Sequence, residues 1–459
     1  LFPRGDDFEL AKGFERWDPA RKINTMFWPQ GEGDYRMQNP YWIAYRNLRL
    51  NQKKRYMLSA QLSYDITDWL NISGRVRVDN THTKYEQKLY ASSNLTITEE
   101  STQGHYTISK PDETQTYADV LANINKRFND FSLVANVGAS IANNRYEDLS
   151  YRGPIREKGI PNVFNVFDLD NTKKKARQDE WQEQTQSVFA SVEVGWKSML
   201  YLTLTGRNDW ASQLANSSTP CFFYPSVGLS GVISEMLTLP EFIDYMKVRG
   251  SFSSVGMPYP RNLTSPTYEY DEANQQWKPK THYPIKDLKP ERTNSWELGL
   301  DMRLFKDFSL GFSWYLANTF NQTFDPKVSV SSGYSKIYLQ TGYVRNSGVE
   351  LSLGYGHTWN NHLHWESNFT LSHNKNTIKD LVTSYIHPET GLPITQNRLD
   401  VGGLGKARFI LKKGGTLGDL YTQSDLKRDN SGMVEIDPSG ALTTEDNLPD
   451  IKLGSVFPK

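Results

Sequence analysis

The chain lacks most of what marks a soluble enzyme. It has one cysteine, Cys221, so no disulfide closes within it and no cysteine cluster holds a metal. Neither sign of charge is in excess: 52 Lys and Arg balance 52 Asp and Glu, which gives no global pull on nucleic acid. There is no long uncharged apolar run, and the mean hydropathy is −0.63, which excludes a transmembrane helix. A membrane-spanning strand is not excluded, because it needs only about 9–11 residues, half of them inward and polar. No Pro/Ser/Gly linker, low-complexity run or switch from strand to helix pattern breaks the 459 residues into domains. The chain starts Leu1-Phe2-Pro3, without an initiator Met or signal peptide, and stops in mid-pattern at Phe457-Pro458-Lys459. We expect a piece of a longer protein.

What is present is alternation. Phe131, Leu133, Ala135, Val137, Ala139 and Ile141 share one phase, with Ser132, Asn136, Gly138 and Ser140 in the other. Trp296, Leu298, Leu300, Met302 and Leu304 alternate with Glu297, Gly299, Asp301 and Arg303. A period of two predicts strands. Similar stretches start near Leu58, Leu70, Ala118, Val188, Leu200, Phe308, Val349 and Leu363. Their apolar phase carries no charge. The other phase carries Asp65, Arg75, Arg77, Asp119, Glu193, Glu297, Asp301, Arg303, Glu350 and Glu366.

Links between these strands alternate in size. Short ones fall at Thr67–Trp69, Asn129–Asp130, Lys197–Met199, Lys306–Asp307 and Asn360–Asn361, with turn-forming residues. Long ones are expected near 80–115, 145–185, 209–221, 257–294, 320–345 and 382–404. Met236–Tyr245 is the exception, a short helical turn on the trimmed side. A sheet trimmed at one end and elaborated at the other is the pattern of an outer-membrane barrel. A soluble sandwich or propeller alternates too, with its apolar phase turned to a core. Strands of ten or more residues are long for such a sheet. Aromatics, at 13%, favour half-wet sites such as membrane rims or sugar-binding surfaces, and outward ones are expected at strand ends at Tyr64, Trp196, Trp314 and Tyr355. We therefore expect an all-β, transmembrane antiparallel β-barrel wall of about fourteen strands.

Seven segments carry a family resemblance: Asn39–Trp42, Tyr64–Val76, Arg207–Ser212, Phe223–Ser230, Val248–Gly256, Leu288–Leu300 and Arg345–Leu353. In order and spacing they resemble the barrel of the SusC/RagA family of TonB-dependent outer-membrane transporters, clearly from Asn39 to Leu381. The resemblance implies part of a barrel of roughly 22 strands around a plugged lumen. By it, residues 1–459 hold middle and later strands, with the N-terminal plug, the TonB-contacting box and the final strands missing, and with long extracellular loops near 80–115, 145–185, 257–294 and 320–345. It further implies import of glycans or oligopeptides across a Gram-negative outer membrane, with a SusD-like surface lipoprotein over the mouth and TonB as energy source. A siderophore or cobalamin receptor of the same architecture, and a soluble or surface β-rich carbohydrate-binding or adhesin protein, are the competing readings.

No catalytic constellation emerges and no cofactor is implied. His362 and His364 flank Leu363 without a further ligand nearby. Gly402–Gly405 opens no helix, so it makes no phosphate cradle. Asp425–Gly432 lacks the alternating oxygen ligands and terminal Glu of a calcium loop, and reads as a hairpin tip. Binding is the better expectation. The loop aromatics Tyr151, Trp181, Tyr268, Trp277 and Tyr334 are candidates for substrate or partner contact, with packing of their own loops as the plain alternative. Arg75, Arg77, Asp301 and Arg303 are expected to face the lumen.

Overall fold

A computed structural model of the chain describes residues 7–28, 38–263, 269–271, 276–278, 282–283, 289–324, 336–359, 362–386, 391 and 393–456. The principal sheet has thirteen antiparallel strands among the described residues. In chain order they are β1 (Asn47–Thr67), β2 (Leu70–Tyr90), β3 (Gly104–Ser109), β4 (Asp112–Phe128), β5 (Phe131–Pro154), β6 (Lys175–Trp196) and β7 (Leu200–Ala211). They continue as β8 (Cys221–Val232), β9 (Ile243–Met257), β10 (Glu291–Leu304), β11 (Phe308–Phe324), β12 (Leu339–Trp359) and β13 (Leu363–Asp380). Sequence neighbours pair throughout, except that β3 takes over the outer part of the β2–β5 interval where β4 ends. Pro111, which has no N–H to donate, stands at that break.

Several strands start where alternation starts: Leu70, Phe131, Leu200, Phe308 and Leu363 are all first residues. The tight links fall where turn chemistry puts them, and Asn129, Lys197 and Lys306 adopt positive φ (49°, 51° and 65°). Asn360 and Asn361 lie outside the described residues. The helical turn comes slightly earlier than expected, at Ile233–Met236.

The expected loop bounds need correction. Residues 80–90 and 145–154 are strand, as are 112–115 and 175–185. The physical reason is that a ladder is held by backbone hydrogen bonds, which persist where the apolar alternation is lost. The connections that remain here are 91–103 and 155–174.

The chain divides into two compact units. One comprises Leu1–Leu62, Gly74–Asp119 and Ile141–Gln184. Within it, helix α1 (Pro40–Arg46) is capped by Asn39, whose side chain accepts from Tyr41 N–H and donates to the carbonyls of Ala11 and Phe27. Trp42 is fully buried, and its indole N–H donates to Ser93 Oγ at 2.9 Å. Connection 155–174 is tied down by Ile155 N–H to Gly104 O, by Ser101 Oγ to Ile155 O, and by the Arg156–Asp168 ion pair at 2.6 Å. Gly104 sits at φ +112° with Leu89 O 2.6 Å from where a Cβ would stand, so no other residue fits.

The other unit comprises Ser63–Ser73, Val120–Ser140 and Thr185–Lys459. Its strands form continuous cross-strand rows. One runs Val248, Leu300, Phe312, Leu351, Leu371; the next runs Met246, Met302, Leu310, Leu353, Phe369. From Leu304 to Trp296 the strand climbs about 27 Å, which at a tilt of roughly 40° is about 20 Å of height, close to a barrel's apolar band. A second, four-stranded antiparallel sheet follows: β14 (Arg398–Leu404), β15 (Ala407–Lys412), β16 (Asp419–Thr422) and β17 (Ile451–Ser455), in that order. Leu399 and Leu411 of that sheet join Val344, Ile378 and Leu381 in a buried cluster.

Candidate functional site

The two faces of the principal sheet differ in what satisfies them. On the apolar face large side chains stand exposed: Val137, Leu202, Leu229, Trp296, Leu298 and Leu371 are each 39–56% accessible. A folded protein in water does not leave so wide an apolar surface uncovered. At the hairpin end this face carries linked rings: Phe242 stacks on Phe305, Phe305 meets Phe308, and Phe308 meets Tyr355 at 4.7 Å. Lys126 lies over Trp69 (4.8 Å) and Phe128, and Lys197 lies over Trp196 (5.4 Å). Rings with snorkelling cations are what an interface between hydrocarbon and water selects. Trp314 departs from its expectation. It pairs with Leu298 and Val349 inside the apolar rows, because β11 continues to Phe324 and the strand end lies beyond it.

The polar face is a network of ion pairs and cross-strand hydrogen bonds. Arg75 holds Asp119 at 2.8 Å, and Arg207 holds Asp209 at 2.7 Å while also donating to Ser187. Tyr224 OH donates to the second Asp209 oxygen. Arg249 bridges strands, pairing with Glu297, donating to Ser313 Oγ at 2.8 Å and approaching Asp301 at 3.7 Å. Its guanidinium crosses Gly299, where a Cβ would collide with it, so the glycine is what lets the arginine lie flat. Asp301, Gly311, Ser313, Glu350, Ser352, Thr370 and Ser372 line a shallow recess of about 340 Å³ on this face. Carboxylates and hydroxyls of this kind hydrogen-bond polar solutes; they include no nucleophile activated by a base.

The candidate residues separate accordingly. Arg75, Arg77, Asp301 and Arg303 all occupy the polar phase: Arg75 and Arg77 flank the Tyr117 ring, Arg77 donates to Gln115, and Arg303 pairs in register with Tyr245 and Ser309. Tyr151 and Trp181 are strand residues and not loop residues, for the reason given above: Tyr151 pairs with Ile108, and Trp181 stacks on Tyr146 at 5.4 Å and 13°. Tyr268 and Tyr334 lie outside the described residues. Trp277 pairs with Tyr270 through its backbone, and its side chain lies outside them.

Sequence reasoning missed the second sheet and its ionic seams. Asp419 is fully buried and Asp450 nearly so. Arg398 and Lys412 hold Asp450 at 2.7 and 2.8 Å, and hydrogen bonding from Arg398 above all keeps its carboxyl far below the usual range. Burial works against ionisation of Asp419, yet Lys452 and Thr416 hold it low. The charge runs that supply these partners look, in sequence, like ordinary solvated loops. The hairpin-tip expectation for Asp425–Gly432 fits: Asp429 Oδ1 accepts from Ser431 and Met433 N–H, and Asp437 repeats the geometry with Ser439 and Ala441. Gly402 and Gly403 pair within β14, and Gly405, at φ +60°, opens the two-residue turn to β15.

Comparison with known proteins agrees with this geometry. The family model described as TonB dependent receptor-like, beta-barrel, matches residues 3–434. TonB-dependent receptor P39 of Formosa agariphila is 24% identical over 339 residues, covering 70% of this chain and 30% of that protein. TonB-dependent receptor P26 of the same organism is 26% identical over 226 residues, covering 47% and 23%. A solved structure of the RagAB peptide transporter superposes with a TM-score of 0.69 at 16% identity, over 91% of this chain and 45% of that one. The chain thus spans under a third of the length of these curated relatives.

Proposed function

The chain belongs to the TonB dependent receptor-like β-barrel family, and from that premise we propose that it forms part of the wall of a SusC-type importer in a Gram-negative outer membrane. In this reading residues 1–459 supply middle and later barrel strands, and the plug, TonB contact and closing strands belong to the rest of the protein. Oligosaccharides or oligopeptides are the cargo, and a SusD-like lipoprotein covers the outer mouth. The family comprises receptors and transporters, and the work assigned to this wall is passage and not chemistry.

The observation that carries the proposal is the division of labour between the faces. One face carries an uncharged apolar band, ringed at the hairpin end by aromatics, as lipid requires. The other pairs charges within and between strands, as a wetted wall does. The likeness in fold to the RagAB peptide transporter supports an oligomeric cargo. Tyr151, Trp181, Tyr268, Trp277 and Tyr334 remain proposed contacts for substrate or lipoprotein, and Arg75, Arg77, Asp301 and Arg303 remain proposed lumen residues.

The test is isolation of the full-length protein from native envelopes under mild detergent. A surface lipoprotein and a bound oligosaccharide or peptide should travel with it. Recovery without a lipoprotein, together with saturable binding of a ferric chelate or cobalamin, would overturn the proposal.

A further inference from the structure

The apolar rows end, away from the hairpins, in a polar row on the same face. It runs Ser254, Asn294, Asn318, Arg345, Thr377 from β9 to β13, each residue paired in register with the next. Ser254 Oγ donates to Asn294 at 2.7 Å, and Arg345 Nε donates to Asn318 at 2.9 Å. A second Arg345 nitrogen donates to Tyr343 OH at 2.6 Å, and the Tyr343 ring stacks on Phe320 at 4.7 Å and 20°. Arg292 stands opposite Phe320 in the ladder, and its guanidinium donates to the Phe223 carbonyl of β8 at 2.9 Å. On β13, Lys375 pairs with Ser347 one row down, diagonal to Arg345, and Lys379 follows on the same phase.

Four cations and a stacked aromatic pair thus gather where the uncharged band meets water. Among the described residues none of the four forms an ion pair with a carboxylate. On the polar face Arg75, Arg207 and Arg249 do, and among the described residues Arg77 and Arg303 do not. A guanidinium has five N–H donors, and Arg345 spends two on Asn318 and Tyr343. Positive charge without a counter-charge, at the rim of a hydrocarbon slab, calls for an anion that is itself anchored in that slab.

We infer that this patch seats the headgroup of a phosphorylated glycolipid of the outer leaflet. Arg345 and Lys375 hold the phosphates, since guanidinium geometry suits phosphate oxygens, and Arg292 adds positive charge from the β8 side. The Phe320–Tyr343 pair takes the sugar ring. The acyl chains run down the rows of Leu316, Trp314 and Leu351. The inference rests on the apolar face meeting lipid; it is independent of the cargo.

The test places the full-length protein in phosphatidylethanolamine nanodiscs. These contain a trace of a bisphosphorylated glucosamine-disaccharide lipid, or of the same lipid with its phosphates removed. Lipid retained per protein is counted by native mass spectrometry. The phosphorylated form should be retained about tenfold more than the other. Arg345→Gln with Lys375→Gln should abolish that preference, whereas Lys197→Gln, at the opposite rim, should keep it. If the double variant does not assemble, Arg345→Lys serves, losing part of the preference. Excess inorganic phosphate should leave the lipid bound; full displacement would make this a free-anion site and overturn the lipid assignment. Assembled protein without preference overturns the site alone. Wild-type protein that never enters the bilayer overturns the membrane reading as well.

Discussion

The rows of β9–β13 and the sheet β14–β17 lie in the same compact unit and are held together by opposite means. The rows bury little: Leu298, Leu371 and Trp296 stay more than half exposed, with no side-chain core behind them. Their cohesion is the backbone ladder, and their side chains are chosen for the solvent they meet. The small sheet has a compact core of Leu399 and Leu411 against Val344, Ile378 and Leu381, and its carboxylates are enclosed by cations. One region is specified by the solvent around it, the other by a core it shares with Val344 of β12 and Ile378 of β13. A substitution that offends lipid should therefore damage the first, and one that removes a buried partner should damage the second.

The largest effect is expected from Val137→Arg. Gly138 points toward Phe189 and Leu121 on the polar side, so Val137 faces away from them. A cation there should lower the stability of the bilayer-inserted protein by about 2–4 kcal/mol, read by denaturant titration in lipid vesicles. Asn136→Arg, one residue away in the polar phase, should cost far less. Equal costs would erase the distinction between the faces.

Next comes Asp450→Asn. It leaves Arg398 and Lys412 without their carboxylate, at a cost of about 1.5–3 kcal/mol to the small sheet. Hydrogen exchange should show β14 and β17 opening while β10–β12 keep their protection. The same seam predicts a pH window. The folded carboxyl titrates below its ordinary value of 3.8, so its stabilisation is complete above that pH and is lost as pH falls below it. Exchange in β14–β17 should rise below about pH 4, with the rows unaffected. Accelerated exchange between pH 6 and 8 would contradict the assignment.

The smallest effect is Trp181→Ala, which removes the stack on Tyr146 and about 0.5–1.5 kcal/mol beyond lost area. If Trp181 only packs, uptake by cells carrying the variant stays at the wild-type level. A drop in uptake with normal assembly would make it a contact for substrate or lipoprotein.

The contrast also explains what was legible in the sequence. Where lipid and water face opposite sides of one strand, the code has period two, and Leu70, Phe131, Leu200, Phe308 and Leu363 could be placed as strand starts. Residues 80–90 and 145–154 carry no such alternation, so nothing in their side chains announces a strand that the backbone nonetheless continues. The small sheet was hidden for a further reason. Asp450 finds Arg398 and Lys412 by tertiary approach, and separations of that length leave no periodic mark. Arg75, Arg77, Asp301 and Arg303 could be given a face because they lie within the periodic region. Trp181 was misplaced because it lies outside it.

The most direct measurement is a labelling scan along β10 in the full-length, membrane-inserted protein, with Cys221→Ser as background and single cysteines from Leu298 to Leu304. A fluorophore on Leu298, Leu300, Met302 and Leu304 should be quenched by brominated lipid, and one on Gly299, Asp301 and Arg303 by aqueous iodide. Quenching by iodide at both sets, with none from lipid at either, would contradict a wall whose uncharged side meets hydrocarbon.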